Sequence, residues 1–220
     1  KFSNPIPKEN GHKNLVVFNK IFYLTNLIAI VFTVGIFFYS KEILLLWTKS
    51  AIPTSIFPAI AFDVKILILG SFFLALQFPL YYLLLSKGKT KYTIFQGTIQ
   101  VLVGIPLLYY CSKKFGLFGI PIPWLLINVS AFVYLFIIVQ KKYLDFANVH
   151  FYTRILFPPL IITLLFNFLV YSCYQKIQFG FIAFIAFSAS ISLIISVLYF
   201  NKQSKINVFS FKHLYSFPHE

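Results

Sequence analysis

The sequence predicts an all-α, polytopic membrane protein with six transmembrane helices. Composition is the first observation: of 220 residues, 59% are hydrophobic, 20% aromatic and 11% charged. Soluble domains carry about 25% charged residues and 45–50% apolar ones, and a soluble core of this size does not hide so much apolar surface. The second is that six windows carry no charge at all: Ile21–Ser40, Ile66–Ser86, Tyr92–Ser112, Phe115–Gln140, Ile155–Gln175 and Ile177–Asn201. Each has at least the roughly 20 residues that a helix needs to cross the hydrocarbon. The third is that none alternates polar with apolar residues, as a membrane β-strand does.

The elements follow in order. Residues 1–20 are polar, hold Pro5, Pro7 and several lysines, and are expected to form a cytoplasmic segment without the pattern of a signal peptide. The first span covers 21–40. Ser50–Phe62 is apolar but short and broken by Pro53 and Pro58, so it reads as a surface loop running into the second helix. The second span covers about 64–86 and the third 92–112, with the lysine-rich turn SKGKTK between them. Spans at 116–140, 155–175 and 178–200 and a polar tail at 201–220 complete the chain.

Ends are set by charge, because one charge at mid-membrane costs about 2.5–3.5 kcal/mol on insertion scales. Six spans place both ends of the chain on one side. That side holds Lys1, Lys8, Lys13, Lys20, Lys87, Lys89, Lys91, Lys141, Lys142, Arg154, Lys202, Lys205 and Lys212, thirteen positive charges against six on the other. Positive charge stays in the cytoplasm, so the lysine turn and both ends are expected there. The net charge of +14 does not point to nucleic acid, since the lysines sit in short knots between apolar runs. Tyr39, Tyr81, Tyr82, Tyr92, Tyr109, Tyr110, Tyr171 and Tyr174 fall near span ends, where an amphipathic ring is favoured. Tyr134 lies inside a span. The chain starts at Lys1 and holds no Met, which suggests a piece of a longer protein.

Residues for catalysis are missing from the spans. Glu9, Glu42, Asp63, Asp145 and Glu220 lie in loops, at a boundary or in the tail, and His12, His150, His213 and His219 lie outside the spans. No nucleophile pair, metal-ligand set or cofactor motif is recognisable. Cys111 and Cys173 have no CxxC partner and read as buried small residues. The polar groups within the spans are uncharged and include six amides: Asn26, Gln77, Gln96, Gln100, Asn128 and Asn167. Gln96 and Gln100 are four apart and share a helix face, with Thr93 and Gly97 beside them. An amide facing lipid is costly, so these either join helices by hydrogen bonds or line a wet cavity that takes a polar substrate such as sugar hydroxyls. Lys87, Lys89 and Lys91 set topology and also suit an anionic phosphate.

The stretches SKEILLLWTKS (40–50), PLYYLLLSKGKTKYTIFQG (79–97) and KKFGLFGIPIPWLLINVSAF (113–132) resemble the polysaccharide flippase family of the multidrug/oligosaccharidyl-lipid/polysaccharide exporter superfamily. The shared features are the apolar patch Ile43–Trp47, the turn Gly88–Lys91 and the paired glycines Gly116 and Gly119; Pro121 and Pro123 stand where small residues are more usual. The resemblance implies a two-lobe MATE-like transporter, of which this chain is the C-terminal lobe, with the N-terminal lobe missing. It implies flipping of polyprenyl-diphosphate-linked oligosaccharide repeat units across the bacterial plasma membrane for O-antigen, capsule or exopolysaccharide synthesis. Membrane lipid and the polysaccharide polymerase machinery are the further implied partners. Gln77, Gln96, Gln100, Asn128, Lys87, Lys89 and Lys91 are then the expected substrate-binding residues. The alternatives are a multidrug-type exporter of the same superfamily and a membrane-bound polysaccharide polymerase or ligase.

Overall fold

The structure is a computed structural model that describes residues 8–49, 51–53, 55–144 and 149–174. The expected sixth span at 178–200 and the tail at 201–220 lie outside these residues. The described residues contain five α-helices and no strand: α1 Lys8–Thr48, α2 Phe57–Ser86, α3 Thr90–Phe115, α4 Pro121–Val139 and α5 Val149–Tyr174. Phe18–Thr48, Phe57–Ser86, Thr90–Gly119 and Pro121–Lys142 are long and apolar enough to cross a membrane; the apolar part of α5, Phe157–Ser172, is shorter.

Charge marks where hydrocarbon ends, but a helix need not end there. α1 runs through Lys20 at one end and Lys41 at the other, beyond the expected 21–40. At ~1.5 Å per residue its 41 residues extend ~60 Å, about twice the hydrocarbon thickness of ~30 Å. Its regular geometry breaks at Tyr39 (φ −100°, ψ 19°). The loop expected over 50–62 is shorter than its apolar sequence implied. Helix α2 already starts at Phe57, with Pro58 in the first positions, where a missing N–H costs nothing.

The lysine turn is a helix stop written in the sequence. Gly88 has φ +65°, the left-handed conformation that ends many helices. Lys89 N donates to Leu84 O at 2.9 Å and Gly88 N to Leu85 O at 2.9 Å, which satisfies two of the last carbonyls of α2. The α3–α4 connection is the 3-10 turn Gly116–Gly119, after which Pro121 and Pro123 sit buried in the first turn of α4.

Three helices meet in the main apolar cluster: Phe18 and Phe22 of α1, Leu76, Leu80 and Leu84 of α2, and Leu135 and Val139 of α4. This places the ends that carry Lys20, Lys87 and Lys141 together. α2 packs against both α1 and α4, α5 packs against α1, and α3 lies mainly along α4. α5 is joined to α1 through Tyr39 and Tyr171, whose ring centroids are 5.4 Å apart, edge to face. The outer faces keep large apolar side chains such as Phe32, Ile94, Leu102, Ile105 and Leu165 exposed. Helices apolar on every side suit lipid.

Candidate functional site

Amide side chains from three helices converge between α2, α3 and α4. Gln77 stands on α2, two residues before Pro79, and is 4% exposed; Asn128 on α4 is 2% exposed. Gln77 Nε2 donates to the backbone carbonyl of Asn128 at 3.0 Å and to Asn128 Oδ1 at 3.3 Å. Asn128 Nδ2 in turn donates to Trp124 O at 2.8 Å. From α3, Gln96 Nε2 donates to Gln77 Oε1 at 3.0 Å and to Gln100 Oε1 at 3.1 Å. Asn128, Gln77, Gln96 and Gln100 therefore form one hydrogen-bonded chain.

Each link answers a cost. A buried amide without a partner loses about 1–3 kcal/mol. Gln77 meets its need by lying between α4 and α3, with a further contact from Nε2 to Phe73 O at 3.3 Å on its own helix. The sequence pairs Gln96 with Gln100 by their spacing. It does not show that Gln77 joins them to Asn128, because that link needs the helices packed side by side.

The chain ends at a cleft between α3 and α4. Phe95, Gln96, Ile99, Gln100, Ser130 and Tyr134 are among its walls, and its volume is about 180 Å³. Gln96 uses both amide hydrogens within the chain, which leaves its Oε1 as an acceptor. Gln100 accepts from Gln96, which leaves its Nε2 as a donor. Neither of these two atoms has a hydrogen-bond partner among the described residues. Gln96 and Gln100 thus bring one acceptor and one donor to an otherwise apolar and aromatic lining. Phe95 and Tyr134 close one end, with ring centroids 5.8 Å apart.

The other expected site residues lie elsewhere. Lys87, Lys89 and Lys91 are not in the amide cluster but at the helix ends, with Lys89 and Lys91 exposed and Lys87 partly so. Tyr92, which follows the lysine turn, lies under Lys91 and Lys142, with the ammonium groups 5.3 Å and 4.4 Å from its ring centroid. In the sequence Lys142 is one of the lysines that set topology, and nothing in its spacing shows that it meets Tyr92. Asn167 is buried in α5, where its Nδ2 donates to Thr163 O at 2.9 Å. No group of three or more His, Cys, Asp or Glu that suits a metal ion occurs among the described residues.

The MatE family model matches residues 6–110, a stretch that runs through α1, α2 and most of α3. The match supports a membrane exporter of the multidrug/oligosaccharidyl-lipid/polysaccharide superfamily, a group of transporters rather than enzymes. With the four helices long and apolar enough to cross a membrane, it supports a multi-pass membrane protein. No curated protein and no solved structure matches the chain.

Proposed function

We propose that the chain takes part in flipping polyprenyl-diphosphate-linked oligosaccharide repeat units across the bacterial plasma membrane, with the α3–α4 cleft as a sugar subsite. The observation that carries this is the free pair at its wall, Gln96 Oε1 and Gln100 Nε2. A sugar hydroxyl is both donor and acceptor, so one hydroxyl, or two neighbouring ones, satisfies both amide atoms. The aromatic walls formed by Phe95 and Tyr134 suit the apolar face of a ring. About 180 Å³ is below the roughly 300–1,000 Å³ of a site for a drug-sized ligand. The cleft therefore takes one ring of a repeat unit, and the rest of the unit needs a wider cavity shared with an N-terminal lobe.

A multidrug exporter of the same superfamily is equally compatible with the family match. Amides rather than carboxylates at the cleft favour the sugar, since a cationic drug gains most from an opposite charge. Glu42 and Asp63, the acids whose side chains are described, belong to the far end of α1 and the start of α2.

Two experiments test the proposal. With Gln96 and Gln100 both changed to Leu, cells should lose most surface polysaccharide while the protein still inserts. Two hydrogen bonds of about 1 kcal/mol each correspond to roughly 30-fold weaker recognition. Unchanged polymer at unchanged protein level removes the cleft from the transport path. The proposed orientation predicts that Lys89→Cys, in a background without Cys111 and Cys173, resists an impermeant maleimide added to intact cells, whereas Lys114→Cys reacts. Labelling of the first position from outside would turn the arrangement over.

A further inference from the structure

The two lysine-bearing turns predicted to share one side of the membrane come into contact. Lys142, in the π-helical turn Gln140–Leu144 that ends α4, donates a hydrogen bond from Nζ to Tyr92 Oη, fifty positions away in sequence. The same ammonium group lies 4.4 Å from the centroid of the Tyr92 ring, and Lys91 Nζ lies 5.3 Å from it. Two cations from different helices thus share one aromatic ring.

The opposite end of α3 provides a contrast. Lys113 and Lys114 also lie over rings, those of Tyr109 at 4.6 Å and Tyr110 at 5.6 Å. Those pairs are four residues apart on one helix, the geometry of a lysine stem lying back along its own turn. At the Tyr92 end the geometry is not local. Lys89, Lys91, Lys141 and Lys142 are exposed and Lys87 partly so, so five ammonium groups gather at this end of the bundle. Clustered lysines at a membrane surface attract anionic head groups. On the same π turn Gln140 is 1% exposed, and both its amide atoms lack a hydrogen-bond partner among the described residues. Single π turns recur at functional sites, where they break the regular spacing of a helix.

We propose that Lys91, Lys142 and Tyr92 form a binding site for the phosphate group of an amphiphile. Lysine ammonium groups bind phosphate oxygens as point charges, and two of them lie 5.3 Å and 4.4 Å from the Tyr92 ring centroid. Tyr92 lies one helical turn from Gln96, ~6 Å along α3, so the bound phosphate stands at the end of the amide-lined cleft. A molecule with a phosphate, an adjoining hydroxylated group and an apolar tail meets all three surfaces at once. That the phosphate belongs to a lipid-linked sugar rests on the function proposed above; the phosphate site itself does not. An anionic phospholipid head group carries the same chemistry.

The test uses the purified full chain in neutral detergent and binding of geranylgeranyl diphosphate, with geranylgeraniol as the uncharged probe and phosphatidylglycerol as competitor. The diphosphate is expected to bind and the alcohol to bind far more weakly. Lys142→Gln and Lys91→Gln should each weaken the diphosphate about five-fold, the worth of one lysine near an anionic group. Tyr92→Leu should weaken it at least as much. Lys142→Arg and Tyr92→Phe should restore binding, which separates a lost site from a lost fold, and Lys113→Gln at the far end should bind as the original chain does. Displacement by equimolar phosphatidylglycerol identifies a bulk lipid head group as the occupant, and resistance to it identifies the diphosphate; either outcome keeps the phosphate site. Equal binding by Lys142→Gln, Tyr92→Leu and the original chain overturns it. Cells with the Gln96 and Gln100 changes report on the cleft alone, so loss of the flippase function and loss of this site give different results.

Discussion

Gly119→Ala is expected to disrupt the α3–α4 hairpin. A Cβ at Gly119 would lie 2.1 Å from Cys111 O and 2.6 Å from Cys111 C, with Phe115 Cβ at 3.0 Å. Two of the three obstacles are backbone atoms and the third is a Cβ fixed to its backbone, so no rotamer change removes them. The last turn of α3 must shift. Overpacking commonly costs 1–3 kcal/mol, and a clash with backbone lies at or beyond the upper end, about 3 kcal/mol. Gly116 adds a second requirement: at φ 60° and ψ −137° it occupies a region open to little besides glycine, and an Ala there costs of the order of 1–3 kcal/mol. Thermal unfolding of the purified protein in detergent, with the monomer yield from size exclusion, checks both. Gly119→Ala with an unchanged melting temperature and yield would falsify the close packing of this turn.

Gln77→Leu has the second-largest expected effect. Gln77 is the hub of the amide chain, donating to Asn128 and accepting from Gln96. Leu removes both, leaves Asn128 Oδ1 without its donor and frees one Gln96 hydrogen. Hydrogen bonds between membrane helices average only about 0.6 kcal/mol, because the unfolded chain in lipid also finds partners. Orphaning a buried acceptor adds about 1–3 kcal/mol, so a loss of about 2 kcal/mol is expected, with the orphan term dominant. The comparison that decides it is the double change. Gln77→Leu with Asn128→Leu should cost clearly less than the two single changes added, because no amide is then left alone. Strict additivity in a denaturation series would show that the two side chains do not act together.

Much of the helical architecture is legible from charge and turn chemistry. The lysine turn ends α2 because Gly88 can take the left-handed conformation and the carbonyls of Leu84 and Leu85 need donors. That signal lies within six residues. The pairing of Gln96 with Gln100 is equally local, since one helix face sets it. What sequence spacing does not contain is contact between helices. Gln77 and Asn128 are 51 residues apart, and Tyr92 and Lys142 are 50 apart; the first pair meets because α2 packs along α4, the second because α3 packs against α4. Helix ends also exceed the charge-free windows. Lys20, Lys41, Asp63 and Lys65 lie within helices, because backbone hydrogen bonding continues after the hydrocarbon has stopped. Gly70 illustrates the same limit. Its missing side chain lets Trp124 approach α2, where a Cβ would lie 2.4 Å from the indole Cδ1, yet in the sequence it is one more glycine in a greasy run.

The two banks of the cleft are not equally anchored: α4 is fixed in the cluster it shares with α1 and α2, whereas α3 is held mainly by α4 and by the tight Gly116–Gly119 turn. Any rocking of α3 about that turn widens or narrows the gap while the opposite wall stays put. Lys142 on Tyr92 and Gln96 on Gln77 are the two latches that limit such a movement.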